Sequence, residues 1–109
     1  MKPINATFEL VKIDDDNWDV LIFSELPVLK AFNSTYSNLF FVEKSVFNKL
    51  PMVVVPSFGN KKHAEVWIEY WKVAFSDPDN SCQSCPTVRE LFEKIENSRL
   101  EQFTSEAKR

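Results

Sequence analysis

Aromatic side chains dominate the apolar part of this chain, while glycine is almost absent from it. Ten phenylalanines and three tryptophans stand against a single glycine, Gly59. Aromatic residues are the largest apolar groups that a chain can bury, so a small fold must pack large pieces in its core or expose some of them at a contact surface. Collagen-like repeats and glycine-rich phosphate-binding loops each need several glycines, and the composition therefore excludes both.

The length and the balance of residue types predict one globular domain over residues 1–109. A chain of 109 residues can build one hydrophobic core and is too short for two ordinary ones. Its residues are 44% hydrophobic and 27% charged, which is typical of a folded chain. No low-complexity tract or interior linker indicates a second module.

The N-terminal segment predicts an antiparallel hairpin. Residues 7–13 mix β-branched, aromatic and polar side chains, and an apolar run resumes over residues 18–23. The acidic residues Asp14, Asp15 and Asp16 lie between the two runs and predict the turn. The second run carries apolar side chains on both of its faces, which predicts an internal strand.

Two more apolar runs, residues 39–42 and residues 52–55, predict further strands. The second run lies between Pro51 and Pro56, and flanking prolines fit an edge strand better than an internal one. Residues 45–50 predict one or two helical turns that end before Pro51.

A short helix is predicted directly after the hairpin. Ser24 is suited to its cap, and Pro27 lies in its first turn, where a missing N–H does no harm. Only Leu26, Leu29 and Phe32 then keep a helical spacing, so we expect few turns.

Residues 60–75 give the clearest periodic pattern in the chain. Placed at 100° intervals, the charged side chains fall within about a third of the helical wheel and apolar side chains fill the rest. Asn60 as a cap and Asp77-Pro78 as a terminator favour a helix. Many of these residues also favour strands, which leaves a long strand over residues 62–75, paired with residues 52–58, as the alternative.

A C-terminal helix is predicted from Pro86 onward. The sequence Thr87-x-x-Glu90 resembles a capping box, and the following apolar residues keep helical spacing: Val88, Leu91, Phe92 and Ile95. Residues 98–109 are predicted to be a frayed helical tail. The fold class is therefore α+β, with a small antiparallel or mixed sheet, built from the hairpin plus one or two strands, and a Trp-rich helix and a C-terminal helix packed on one face.

Charge and hydropathy limit the classes of partner. Thirteen basic and sixteen acidic residues give a net charge of −3, which disfavours nucleic acid. No stretch approaches the roughly 20 apolar residues that span a bilayer, and no secretory signal pattern is present, so the sequence predicts a cytoplasmic protein without a membrane partner. His63 is the only histidine, which leaves little for hydrolytic catalysis or for a metal site, and no cofactor is predicted.

The pair Cys82 and Cys85, in the order C-x-x-C before a helix, is the one motif with chemical potential. A thiol at a helix N-terminus has its thiolate stabilised by free backbone N–H groups. The arrangement resembles the redox motif of the thioredoxin family, and residues 55–58 resemble the proline-bearing turn of that family. That turn follows the motif in the family but precedes it here, so the chain is not assigned to the family. Thiol–disulfide exchange through this pair is the alternative function.

The preferred function is a noncatalytic protein-interaction module, such as a small inhibitor, immunity-like protein or adaptor that occludes a partner. Aromatic residues at helical spacing predict the contact surface: Trp67, Tyr70, Trp71 and Phe75. Tryptophan and tyrosine are favoured at interfaces, although the same residues could be core. Asp14, Asp15 and Asp16 are predicted to steer a basic partner. A homodimer through the aromatic helix is a further option.

Overall fold

A computed structural model describes residues 2–42, 51–81 and 85–107. Its elements follow the order of the chain: β1 (Ala6–Asp14), β2 (Asn17–Ser24), α1 (Leu26–Thr35), β3 (Phe40–Val42), β4 (Met52–Phe58), α2 (Lys61–Ser76), α3 (Pro78–Ser81) and α4 (Pro86–Ala107). The strands form one antiparallel sheet in the order β1-β2-β4-β3. The predicted α+β class, with helices packed on one face of a small sheet, is confirmed.

The N-terminal hairpin has the predicted form. Val20 and Ile22 of β2 are fully buried, and β2 lies between β1 and β4, so its predicted internal position is confirmed. The acidic residues occupy the turn, where Asp14 Oδ1 accepts a hydrogen bond from the backbone N–H of Asp16 at 3.0 Å. An aspartate that bonds the backbone two residues further on stabilises a turn locally.

The prediction of an edge position for β4 is wrong, because β4 pairs with β2 on one side and β3 on the other. Pro56 is tolerated there because β3 pairs only with Met52–Val54 and ends before it. The register with β2 also shifts: Val20 faces Val55 while Trp18 faces Phe58, which inserts one extra residue into β4. Ser57 has φ of 71° within this bulge.

Helix α1 is longer than predicted and has a different cap. It spans ten residues, and Glu25 occupies the cap position without a side-chain capping bond. Ser24 is not the cap, because its hydroxyl donates to the backbone carbonyl of Asn5 at 2.6 Å. Burial of Val28, Leu29 and Phe32 stabilises more turns than the local spacing indicated.

Helix α2 confirms the helical interpretation of residues 60–75 and excludes the long strand. Asn60 is its cap, and the side-chain Oδ1 accepts a hydrogen bond from the backbone N–H of His63 at 2.8 Å. The chain then ends the helix at Ser76, before Asp77 and Pro78, as predicted.

Helix α4 begins at Pro86, as predicted, and its backbone remains helical to Ala107. The predicted capping box is wrong, because Thr87 is the second helical residue and the carbonyl of Cys85 accepts from the N–H of Arg89 at 3.0 Å. All four apolar residues of the predicted core stripe are buried: Val88, Leu91, Phe92 and Ile95. The helical turns predicted over residues 45–50 lie outside the described residues.

Candidate functional site

Helix α2 has two apolar sides, and only one of them belongs to the core. Ala64, Ile68, Trp71, Ala74 and Phe75 are buried against the sheet and the other helices. On the opposite side, three apolar residues form an exposed row. Val66 is 61% exposed, Tyr70 is 47% exposed and Val73 is 62% exposed. Spacings of four and three residues align these side chains along one line of the helix. We call these three residues the α2 stripe.

An open groove lies beside the α2 stripe. It has a volume of about 540 Å³ and is lined by Tyr36, Phe58, His63, Val66, Trp67, Tyr70, Trp71, Cys85 and Val88. A smaller cavity of about 190 Å³ shares Tyr36, Trp67 and Trp71 with it, so the two hollows adjoin. We call the larger one the aromatic groove. Its volume falls in the range of roughly 300–1,000 Å³ typical of ligand pockets.

Trp71 organises the rings around the aromatic groove. Its ring lies 5.3 Å from Tyr70 at an angle of 85°, and 6.0 Å from Tyr36 at 84°. Trp67 lies 5.9 Å from Trp71 and 5.7 Å from Phe58. Edge-to-face pairs of this kind hold aromatic rings in fixed orientations. The walls of the groove are therefore held by contacts among rings at the C-terminal cap of α1, on β4 and on α2.

The four aromatic residues predicted as a contact surface divide between the core and the groove. Trp67 is half-buried and Tyr70 is exposed, and both line the aromatic groove. Trp71 and Phe75 keep only 4% and 2% of their area exposed. Phe75 is enclosed by rings that include Phe8 at 5.9 Å and Phe92 at 6.1 Å. Phe75 therefore supports the helix from inside, and the structure does not bring it to the surface.

Val66 and Val73 are the most exposed apolar residues of α2, and neither was among the predicted contact residues. The helical wheel shows only that the apolar arc exceeds half of the circumference. It does not show which part of that arc meets the core, since this depends on where α1 and the sheet lie. Val66 and Val73 lie at one edge of the apolar arc, whereas Ala64 and Phe75 lie towards the other edge, and no signal within α2 marks which edge is exposed.

The acidic turn lies apart from the aromatic groove, and none of its three residues lines the cavity. Asp15 is 95% exposed and forms an ion pair with Lys12 at 3.3 Å. Lys12 and Lys61 both approach the ring of Trp18, with their Nζ atoms 6.0 Å and 5.8 Å from its centroid. The hairpin end therefore adjoins the N-terminal end of α2.

Tyr36 and Cys85 form the polar part of the groove. Burial, together with the negative charges of Cys85, Tyr70 and Glu90, raises the pKa of Tyr36 to about 12. Cys85 is half-buried immediately before the first residue of α4 and makes no disulfide within the described part of the chain. Cys82, the other predicted redox residue, lies outside the described residues. The structure therefore places one thiol of the predicted pair at a helix N-terminus.

His63 is exposed in the first turn of α2, at the rim of the aromatic groove. Its Nδ1 lies 3.5 Å from Nδ2 of Asn60, and the orientation of the ring leaves it next to the helix cap. Within residues 2–42, 51–81 and 85–107, no three histidine, cysteine, aspartate or glutamate side chains converge as metal ligands would.

Comparisons of the chain with protein-family models, with curated proteins and with solved structures found no match. No helix in the described part of the chain has both the length and the apolar character needed to cross a membrane.

Proposed function

We propose that the chain is a noncatalytic interaction protein of the cytoplasm that binds a protein partner through the α2 stripe and occludes part of the surface of that partner. The observation that carries the proposal is the exposure of Val66, Tyr70 and Val73 along one line of a helix whose other side is fixed in the core. A helix held in this way presents its contacts without a large loss of conformational entropy on binding.

The α2 stripe and the aromatic groove together offer an anchor site. Fully burying a valine side chain contributes about 1.5–3 kcal/mol, so covering the exposed part of Val66 and Val73 contributes roughly half of that for each. Tyr70 joins the stripe to the groove, and tyrosine is among the residues that most often dominate binding energy. A volume of about 540 Å³ accommodates an apolar side chain of the partner between Tyr70 and Tyr36.

Charge is proposed to act on the rate of association. The chain carries a net charge of −3, and the exposed turn at Asp14, Asp15 and Asp16 concentrates negative charge at one end of the sheet. Exposed acidic residues attract a basic partner over distances near the Debye length, which is about 8 Å at physiological salt. The acidic turn therefore favours a basic partner without contributing much to the lifetime of the complex.

Site-specific photo-crosslinking in the source cells tests the proposal. A photoreactive phenylalanine analogue replaces Val73, which is 62% exposed and outside the core. The expected product is one discrete adduct with a protein partner. The same analogue at Lys30, an exposed residue of α1, is the matched control and should give no such adduct. An adduct of two copies of the chain would identify a homodimer instead.

A second set of variants links the adduct to the stripe. Val66→Ser changes an exposed residue, so it should leave the thermal unfolding temperature nearly unchanged while reducing the adduct at position 73. Equal adduct yields at Val73 and Lys30, or full yield with Val66→Ser, would contradict the proposal.

Thiol–disulfide exchange is the second candidate function. It is favoured by one observation, the position of Cys85 at the N-terminus of a helix that spans 22 residues. The free N–H groups of the first turn stabilise a thiolate there. If Cys82 and Cys85 cycle, thiol titration with and without reductant should differ by two thiols, and the Cys82→Ser/Cys85→Ser variant should lose the biological effect. A variant that keeps this effect removes the candidate.

A further inference from the structure

The sheet has a second face, which points away from the helices and is also apolar. Val20 and Ile22 of β2 are fully buried against the helices, so Leu21 and Phe23 point to the opposite side. Leu21 pairs with Val54, which pairs with Phe40. Phe23 pairs with Met52, which pairs with Val42. We call these two cross-strand rows the outer patch: Leu21, Val54, Phe40, Phe23, Met52 and Val42.

No described helix covers the outer patch. Helices α1 and α2 meet each other on the inner side, where Phe32 lies 4.9 Å from Trp71. Phe8 of β1 contacts Trp67 from the same side at 6.4 Å. The core cluster and the residues packed against it include none of the six residues of the outer patch. Phe40 is 61% exposed, and the other five are half-buried by their strand neighbours.

The dimensions of the outer patch fit a single helix. Each row of the outer patch crosses three neighbouring strands and is therefore about 10 Å long. The two rows are about 7 Å apart along the strand direction. An α-helix with its side chains is about 10–12 Å wide, and two turns extend about 11 Å. The patch is too narrow for the face of a second four-stranded sheet, which would span roughly 15–20 Å across its strands.

On the strands that the structure describes, the charged side chains beside the outer patch have one sign. Glu9 is paired with Leu21 at the end of the first row, and Asp19 lies two residues before Leu21 on the same face, where its Oδ1 also accepts a hydrogen bond from the backbone N–H of Ser57 at 3.3 Å. Among the described strand residues that point outward, none is lysine or arginine. A helix that covers the patch therefore meets apolar side chains along its centre and carboxylates along one flank.

We infer that the outer patch is a second docking surface, and that its occupant is an amphipathic α-helix of a partner protein with a leucine or isoleucine stripe and lysine or arginine on the flank that faces Glu9 and Asp19. This inference goes beyond the proposed function. It also stands without it, because the outer patch and the α2 stripe lie on opposite sides of the sheet and share no residue.

Amide chemical shifts of the isotope-labelled protein test the inference. The probe is a synthetic amphipathic peptide of about four helical turns with a leucine stripe and lysine flanks. It should shift the amides of Leu21, Val54 and Phe40 and leave those of Val66 and Val73 unchanged. The matched peptide with glutamate flanks should bind at least roughly tenfold more weakly, since its charges repel Glu9 and Asp19.

Two protein variants separate the patch from the rest of the surface. Phe40→Ser should weaken binding of the lysine peptide roughly tenfold, and Glu9→Lys should remove the preference for lysine over glutamate flanks. Val73→Ser, on the other side of the molecule, is the control and should change nothing.

Four outcomes would overturn the inference: no shifts at millimolar peptide, equal binding of both peptides, shifts confined to α2, or dimerisation of the chain through Phe40. Shifts confined to α2 would favour the α2 stripe as the docking surface instead, whereas the other three outcomes leave the α2 stripe unaffected. The photo-crosslinker at Val73 tests the α2 stripe separately.

Discussion

The rings of Phe32 and Trp71 lie 4.9 Å apart at an angle of 66°, and this edge-to-face contact joins α1 to α2 inside the core. Phe32 is 1% exposed and Trp71 is 4% exposed. Trp71 forms part of the wall of the aromatic groove, and Phe32 packs behind it without lining the groove. The wall therefore depends on a core residue of α1.

Phe32→Ala should lower the free energy of unfolding by about 3–5 kcal/mol, because it removes a fully buried ring and leaves a cavity between the helices. Phe40→Ala is the matched control, since Phe40 is 61% exposed, and it should change the free energy by less than about 0.5 kcal/mol. Urea denaturation measures both. Equal effects of the two variants would contradict the placement of Phe32 in the core.

The contribution of the Asn60 cap to the free energy of unfolding should be measurable separately from the contribution of the packing of α2. Asn60→Ala removes the side-chain acceptor for the N–H of His63 and should cost about 1 kcal/mol in the free energy of unfolding. Asn60→Ser retains an acceptor and should restore most of the loss. Thermal and urea denaturation of the three proteins provide the measurement, and a full loss in the serine variant would argue against capping by this side chain.

Tyr36 should keep its phenolic proton to an unusually alkaline pH. Burial, followed by the charges of Cys85, Tyr70 and Glu90, raises the pKa of Tyr36 from 10.0 to about 12. The unfolded chain releases this proton at lower pH than the folded chain does. The stability that depends on protonated Tyr36 is therefore complete below pH 10 and is lost as the pH rises towards 12.

Ultraviolet absorbance of the phenolate checks the titration, with Tyr70→Phe used to assign the transition to Tyr36. The Tyr36→Phe variant should lose stability less steeply than the parent protein over the same pH range. Identical pH profiles of the two proteins would show that Tyr36 is not held protonated by its surroundings.

Glu25 and Arg99 connect the start of α1 to α4, with Nε of Arg99 donating to Oε1 of Glu25 at 2.7 Å. Both side chains are partly exposed, so a double-mutant cycle with Glu25→Gln and Arg99→Gln should give a coupling energy of about 0.2–1 kcal/mol. The coupling should fall in 1 M salt, where the Debye length is about 3 Å. A coupling that is unchanged by salt would indicate that the contact is not electrostatic.

Local patterns in the sequence predicted the hairpin, α2 and the start of α4, because alternation, helical periodicity and a proline each act over a few residues. Pro56 favoured an edge position for β4, but the internal position is possible because β3 ends before it reaches Pro56. The sequence around Pro56 does not show where β3 ends. The apolar residues on both faces of β2 correctly predicted an internal strand, but they also indicated burial of both faces. The structure buries Val20 and Ile22 and leaves Leu21 and Phe23 only half-buried.

Only part of the candidate site was predicted, because burial of its residues depends on neighbours that are distant in the sequence. Trp67 and Tyr70 reach the aromatic groove, while Trp71 and Phe75 lie in the core, although all four share one apolar arc. Which members of an arc become core is decided by elements far along the chain, here Phe8, Phe32 and Phe92. Propensity and spacing within α2 carry no information about those neighbours.

The nine-residue strand β1 forms one margin of the sheet and pairs only with β2 among the described strands. Its remaining backbone groups can hydrogen-bond a strand of another molecule, which is the first step of fibril growth. Glu9, Lys12 and Asp14 place charges along this margin, and such charges discourage stacking of identical strands. The solubility of concentrated protein therefore depends on a few ionised side chains that contribute little to the stability of a single molecule.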